Sequence, residues 1–276
     1  MIYSLDNIQA ARQKVSTRAP YIMYIDVGLG TGARHSAEWL IQSSKSGQSK
    51  NVFVLGIEPN EDCVQSLWEG PKPRNTNYLN LGEKCIYNNE EKIAEIEEGS
   101  YALLKCAVDD VEGTKEKIFY HTDEINIGCS SLLEPTDKIE ASIKGTSMVT
   151  VASLQTILQT YGLPAGTIIA LLKVDAQGKD LQIVKSLGKY LNDVMCIACE
   201  WPRPDQYNEC HDTQLDTIEY MWNNEFVCIT GENGNDGYFF NTRFMKEFNR
   251  DYIYSFFFTH FPHDLSLRIA QEESKE

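Results

Sequence analysis

Long hydrophobic runs are missing from this chain. None reaches the roughly 18 residues needed to cross a bilayer, so no membrane partner is expected. No basic-then-apolar signal segment opens the sequence and no Asn-X-Ser/Thr sequon occurs in it. Basic residues are scarce, 25 Lys and Arg against 40 Asp and Glu, leaving a net charge of −15. A phosphate backbone calls for a basic surface, so nucleic acid is not an expected partner, although a local basic pocket is not excluded. Nor is there a disulfide framework. Cysteines at 63, 85, 106, 129, 196, 199, 210 and 228 are scattered, several inside apolar strand-like runs, the usage of small buried hydrophobes in a reducing compartment. Cys196-x-x-Cys199 lies in VMCIACE, a strand-like stretch in which residues three apart point to opposite faces, against a zinc or redox pair. These absences lead to the expectation of a soluble, cytoplasmic protein.

What the chain does have is YIMYIDVGLGTG at residues 21–32. A near-continuous apolar run ending in glycines reads as a strand buried on both faces. Ala33, Ala37, Leu40 and Ile41 then fall on one face of a helix. Strand, Gly-rich turn and helix N-terminus together let a ligand lie against bare main chain beside free N–H groups. The spacing G-x-G-x-G, with Asp26 two residues before Gly28, departs from the dinucleotide pattern G-x-G-x-x-G. A carboxylate there repels a pyrophosphate but suits a cofactor that carries an amine. A second acid, Glu58, ends the run VFVLGIE, where a ribose diol would be held. The bland alternative is a turn that serves only close packing, with Glu58 a solvated strand end.

Further along, residues 1–20 carry a weak helical pattern and read as a leader. Residues 69–100 are polar, with Pro71, Pro73 and the acidic run EEKIAEIEEG, and read as an insertion carrying one short helix. Tyr101–Val108 reads as the third strand and Lys117–His121 as a short β segment. Val149–Val151 is extended, and Ser153 caps a helix stopped by Pro164 and Gly166. Thr167–Val174 and Val194–Glu200 are buried strands, with a helix over 179–191 between them. A helix over 212–223 leads to an antiparallel pair, 225–230 with 238–242, joined by GENGNDG. The fold class is therefore α/β: a doubly wound, mostly parallel, Rossmann-like sheet with an antiparallel C-terminal hairpin, spanning residues 21–245. Nicotinamide-binding domains usually lack that closing hairpin. The tail over 246–276 is strongly aromatic (DYIYSFFFTHFP) and reads as a strand, a lid or an oligomer contact.

Ligands in such sheets bind at the carboxyl ends of the strands, and Asp26, Glu58, Asp175 and Glu200 each end one. Lys173, two residues before Asp175, points to the same side. Its pairing with Asp175 is either a structural ion pair or part of the substrate site. D-x-G-x-G-x-G followed by a strand ending in an acid resembles the class I methyltransferases. LLKVDAQGKDLQIVKSLG, preceded by TVASLQTILQTYG, and AVDDVEGTKEKIFYHTDEINIGCSSLLEP upstream are similar to the FkbM family of S-adenosylmethionine-dependent methyltransferases over residues 21–240; the polar 69–100 stretch departs from it. The resemblance implies S-adenosylmethionine as cofactor, with Asp26, Gly28, Gly30 and Gly32 along its methionine half, Glu58 on the ribose, and Ala107, Val108 and Asp109 against the adenine. It also implies O-methylation of a sugar, glycan or small metabolite. A hydroxyl nucleophile needs a base: Asp175 and Glu200 are the candidates, with His121, His211 and His260 behind them. Asp175 and Glu200 could instead ligate a divalent cation, which is not expected. Two other readings stay open, a catalytically inactive methyltransferase fold used as an interaction module and a nicotinamide oxidoreductase. Oligomeric state is open as well.

Overall fold

A computed structural model describes residues 2–15, 22–45, 52–70, 76–123, 127–139, 141–229 and 235–246. The aromatic tail with His260, Tyr21 and most of the GENGNDG turn lie outside the described residues. In chain order the chain forms β1 (Ile2–Tyr3), α1 (Gln9–Val15), β2 (Ile22–Val27), α2 (Arg34–Lys45), β3 (Val52–Ile57) and α3 (Glu61–Glu69). β4 (Asn77–Asn80), β5 (Cys85–Asn88), β6 (Glu91–Glu95), β7 (Tyr101–Leu104), β8 (Ala107–Val108), β9 (Thr114–Thr122) and β10 (Ile143–Ala152) follow. The last third holds α4 (Leu154–Tyr161), β11 (Ile168–Val174), α5 (Asp180–Lys185), β12 (Val194–Glu200), α6 (Gln214–Asn223), β13 (Phe226–Cys228) and β14 (Asp236–Asn241).

Among the described residues eight strands make the main sheet, in the order β1-β7-β3-β2-β11-β12-β14-β13. Pairing is parallel from β1 through β12, whereas β14 runs antiparallel to both β12 and β13. Every residue of β3 is buried, as are all but the first of β2 and β11. Such uniform burial is what near-continuous apolar runs specify when helices cover both faces. One core layer gathers α1, α4 and α5 with Phe53, Leu172 and Ile197; the other gathers α2 and α3 with Val54, Leu171 and Cys196. Cys199 falls in the first layer and Cys196 in the second, so the C-x-x-C pair does point to opposite faces. The architecture is a Rossmann-like α/β fold whose strand order reverses between β2 and β11.

Helix ends follow the local chemistry. Asn60 caps α3 through the Asp62 N–H, Ser153 caps α4 through the Thr156 N–H, and Thr213 with Asp216 closes a capping box on α6; each such cap contributes about 1 kcal/mol. Helix α4 stops at Gly162, in the left-handed conformation, two residues before the expected Pro164.

Several expectations are corrected. Among the described residues the 69–100 stretch carries no short helix of its own; over 77–95 it folds as a three-stranded antiparallel sheet, β4-β5-β6. The run YALLKCAV is not one strand. It breaks at Lys105, whose N–H bonds Tyr3 O, and β8 leaves for a second sheet, β8-β10-β9. The 179–191 helix is α5 followed by a separate 3-10 segment over Gly188–Asp193. The N-terminal leader supplies an edge strand, β1 on β7, as well as a helix.

Candidate active site

At the rim where the strand order reverses, the loops leaving β2 and β11 press together. Gly28 N–H bonds Ile57 O at 3.0 Å, and Asp175 N–H bonds Val27 O at 3.1 Å. Gly28 sits at φ +79°, and a Cβ built there would stand 1.9 Å from the Asp175 carbonyl oxygen. No side chain fits, so this glycine is required by packing. Gly30 is also left-handed, at φ +58°, yet a Cβ there would meet no atom within 4 Å. It faces a cavity of about 230 Å³ at the carboxyl ends of β2, β3 and β11, the place where open α/β sheets bind ligands. Gly32 does not reach that cavity; its neighbour is Tyr78 of β4.

Four strand-end charges line the cavity: Asp26, Glu58, Lys173 and Asp175. Asp26 is 1% exposed, and its Oδ2 accepts from the Ser36 N–H (3.1 Å) and hydroxyl (2.7 Å). Its Oδ1 has no hydrogen-bond partner among the described residues and lies 3.7 Å from Lys173 Nζ. Burial raises the Asp26 carboxyl, against the opposing pull of Lys173 and Ser36. Glu58 accepts the Gly30 N–H at 3.0 Å through Oε2 and the Asn60 N–H at 2.9 Å through Oε1. Burial lifts it to about 7 all the same. Lys173 donates to Gly28 O at 2.9 Å and sits 3.3 Å from Asp175 Oδ2. Burial works to discharge this lysine, but Asp175 and Asp26 outweigh it and keep it firmly protonated. Asp175 differs from the two buried acids. Its side chain is 43% exposed. Partial burial pushes it up, but Lys173 and then a hydrogen bond from Gln177 hold it below the usual carboxylate range.

The remaining expected residues divide. Ala107 and Val108 of β8 line the cavity, but Asp109 turns away to pair with Lys117 (2.6 Å) and Lys179 (3.2 Å). Glu200 ends β12 beside Asp175 but does not line the cavity. It stands behind Gln177, whose Nε2 donates to it at 3.0 Å, with Arg203 at 3.4 Å; burial and then Asp175 raise it to about 8. Trp201 packs edge-on against Phe239. His121 bonds Ser147 Oγ, away from the cavity, and His211 is exposed.

Residues unforeseen in the sequence complete the enclosure. Arg34 and His35 open α2 against the cavity, and burial, then Lys173, lowers the imidazole to about 3, keeping it neutral. Phe119 of β9 with Ile127 and Leu132 forms the opposite wall. The helical stripe at Ala33, Ala37, Leu40 and Ile41 is the signal for α2; nothing in the local pattern ties Phe119 to the ends of β2 and β3 at Val27 and Ile57.

No family model and no curated protein matches the chain. A solved structure similar to it is the crystal structure of methyltransferase FkbM from Methylobacillus flagellatus KT, at 10% identity and a TM-score of 0.39, over 86% of this chain and 50% of that one. The chain thus spans about half the length of that structure.

Proposed function

We propose that the chain is an S-adenosylmethionine-dependent methyltransferase acting on a hydroxyl of a sugar, glycan or small metabolite. One observation carries the cofactor assignment: Gly30 offers bare left-handed main chain to a cavity that also holds Asp26 and Glu58, buried at the ends of adjacent strands. Two buried carboxylates disfavour a pyrophosphate and suit a cationic ligand with an amine and a diol. The residues fit such a group. Asp26 Oδ1, buried and without a hydrogen-bond partner, would accept from the amine. Glu58 would take the ribose hydroxyls, and Ala107 and Val108 give an apolar wall for the base. The antiparallel placement of β14 between β12 and β13 agrees with the methyltransferase form of the doubly wound fold.

The cofactor, when bound, supplies a methyl group activated on a sulfonium. The chain's own contribution is to place the acceptor hydroxyl and remove its proton. Asp175 is the base of choice, because it is ionised and open to the cavity, whereas Glu200 is set back and protonated near neutrality. A positioned base typically contributes ~10²–10⁴-fold.

Isothermal calorimetry tests the proposal. S-adenosylmethionine or S-adenosylhomocysteine should release heat on mixing, and Gly30→Val should abolish it. Asp175→Asn should keep the dissociation constant within a few-fold while cutting turnover in a labelled-methyl screen of glycans and metabolites. Folded protein that gives no heat with either compound refutes the reading.

A further inference from the structure

We infer that Gln177 is a positioning residue, locked by Tyr207, that holds the Asp175 carboxylate turned into the cavity. The inference rests on the site proposed above but is tested separately from it. Gln177 lies in the loop after β11 with φ +55°, a left-handed backbone that costs a non-glycine residue about 1 kcal/mol or more. Something must hold it there, and its side chain has no idle polar atom. Its Nε2 donates to Asp175 Oδ1 at 2.7 Å and to Glu200 Oε2 at 3.0 Å, while its Oε1 accepts from the Tyr207 hydroxyl at 2.8 Å. The Ser131 hydroxyl donates to its backbone carbonyl at 2.8 Å.

The orientation of that amide follows from its surroundings. Asp175, held ionised, can only accept, so the Gln177 NH₂ must face it and flipping the amide would set its oxygen against that carboxylate. The Gln177 Oε1 then faces Tyr207, whose single hydroxyl proton lies between Gln177 Oε1 at 2.8 Å and Cys129 O at 3.1 Å, both of them acceptors. Asp175 is therefore gripped at both oxygens, Lys173 on Oδ2 and Gln177 on Oδ1. A lysine alone would leave the carboxylate free to swing about its Cβ–Cγ bond; the second contact sets its plane. The other charged or titratable groups facing Asp175 are Asp26 on β2, His35 on α2, Cys129, Asp180 on α5, Glu200 on β12 and Tyr207; the side-chain hydrogen bonds that favour its ionised form come from Gln177 and Lys173.

The test is a carbon-13 carboxylate titration of the full chain, followed by NMR, in the wild type, Gln177→Met and Tyr207→Phe. Methionine keeps the length of the side chain and removes its donors. Losing a hydrogen bond to an ionised group should move the Asp175 titration upward by about one pH unit in Gln177→Met, and by less in Tyr207→Phe, where only the lock is gone. A residue that merely tied loops together would change melting temperature without moving this titration. Calorimetry with S-adenosylhomocysteine should give both variants a dissociation constant within a few-fold of the wild type. Should the wild type itself give no heat, the methyltransferase reading fails while the titration still decides the role of Gln177. If Gln177→Met does not fold, Tyr207→Phe carries the decision. An Asp175 titration unmoved in every folded variant overturns the inference.

Discussion

Replacing Lys173 by methionine should strike the fold and the site together. The ammonium group is the counter-charge of Asp26 (3.7 Å) and Asp175 (3.3 Å) and the hydrogen-bond donor to Gly28 O (2.9 Å). Asp175 reaches solvent and can find water. Asp26 cannot: at 1% exposure it would keep only the two hydrogen bonds from Ser36. Stranding a buried charge in this way typically costs ~3–5 kcal/mol, which for a chain of this size lowers the melting temperature by roughly 10 °C. The loss should also depend on pH in a defined direction. Without Lys173 the Asp26 carboxyl rises further above its unfolded value, so the folded variant binds a proton that the unfolded chain releases. Its deficit relative to wild type should therefore be smaller at about pH 5.5 than at about pH 8. Urea denaturation at both pH values measures this directly. Asp26→Asn added to Lys173→Met should recover part of the loss, since it removes the stranded charge. A deficit below about 1 kcal/mol, the same at both pH values, would mean that the pair contributes no more than an exposed ion pair does, and the account of the rim would be wrong.

The buried acids predict a second pH effect. Glu58 and Asp180 stand at about 7 and Glu200 at about 8, against 4.5, 3.8 and 4.5 in the unfolded chain, so the folded state holds extra protons across that window and wild-type stability should fall as pH rises from about 5 to 8; a flat profile in urea melts contradicts it. The glycines should separate by role. Gly28→Ala drives a methyl into the Asp175 carbonyl and should cost about 3 kcal/mol or more, whereas Gly30→Ala, with open space around it, should cost only about 1–2 kcal/mol from its backbone. Equal melting temperatures for the two variants would refute the distinction.

The central strands were legible because burial on both faces leaves runs such as IMYIDV and VFVLGI with few alternatives, and the glycines after them mark where the sheet opens. Three of the four expected strand-end acids line the cavity. The fourth, Glu200, ends the correct strand, but a strand end fixes only the Cα; which side chain faces the void depends on the loop crossing in front, and Gln177 stands there. The β4-β5-β6 sheet escaped notice because it combines short strands with a solvent-facing edge: EKIAE is exposed at four of its five positions, so no period-two alternation survives. The break in YALLKCAV has no glycine or proline to announce it. It is imposed from outside, by Tyr3 taking the Lys105 N–H.

The wall bearing Phe119 belongs to the β8-β10-β9 sheet, a unit apart from the strands that carry Asp26, Glu58 and Lys173. A change at Phe119 or Leu132 alters which molecule fits, while the charged rim answers to the packing of β2, β3 and β11. For an engineer, Phe119 and Leu132 are the positions to vary on that wall, whereas Ser131, whose hydroxyl holds the Gln177 carbonyl, and Cys129, whose carbonyl meets the Tyr207 hydroxyl, tie the same segment to the charged rim and should be left alone.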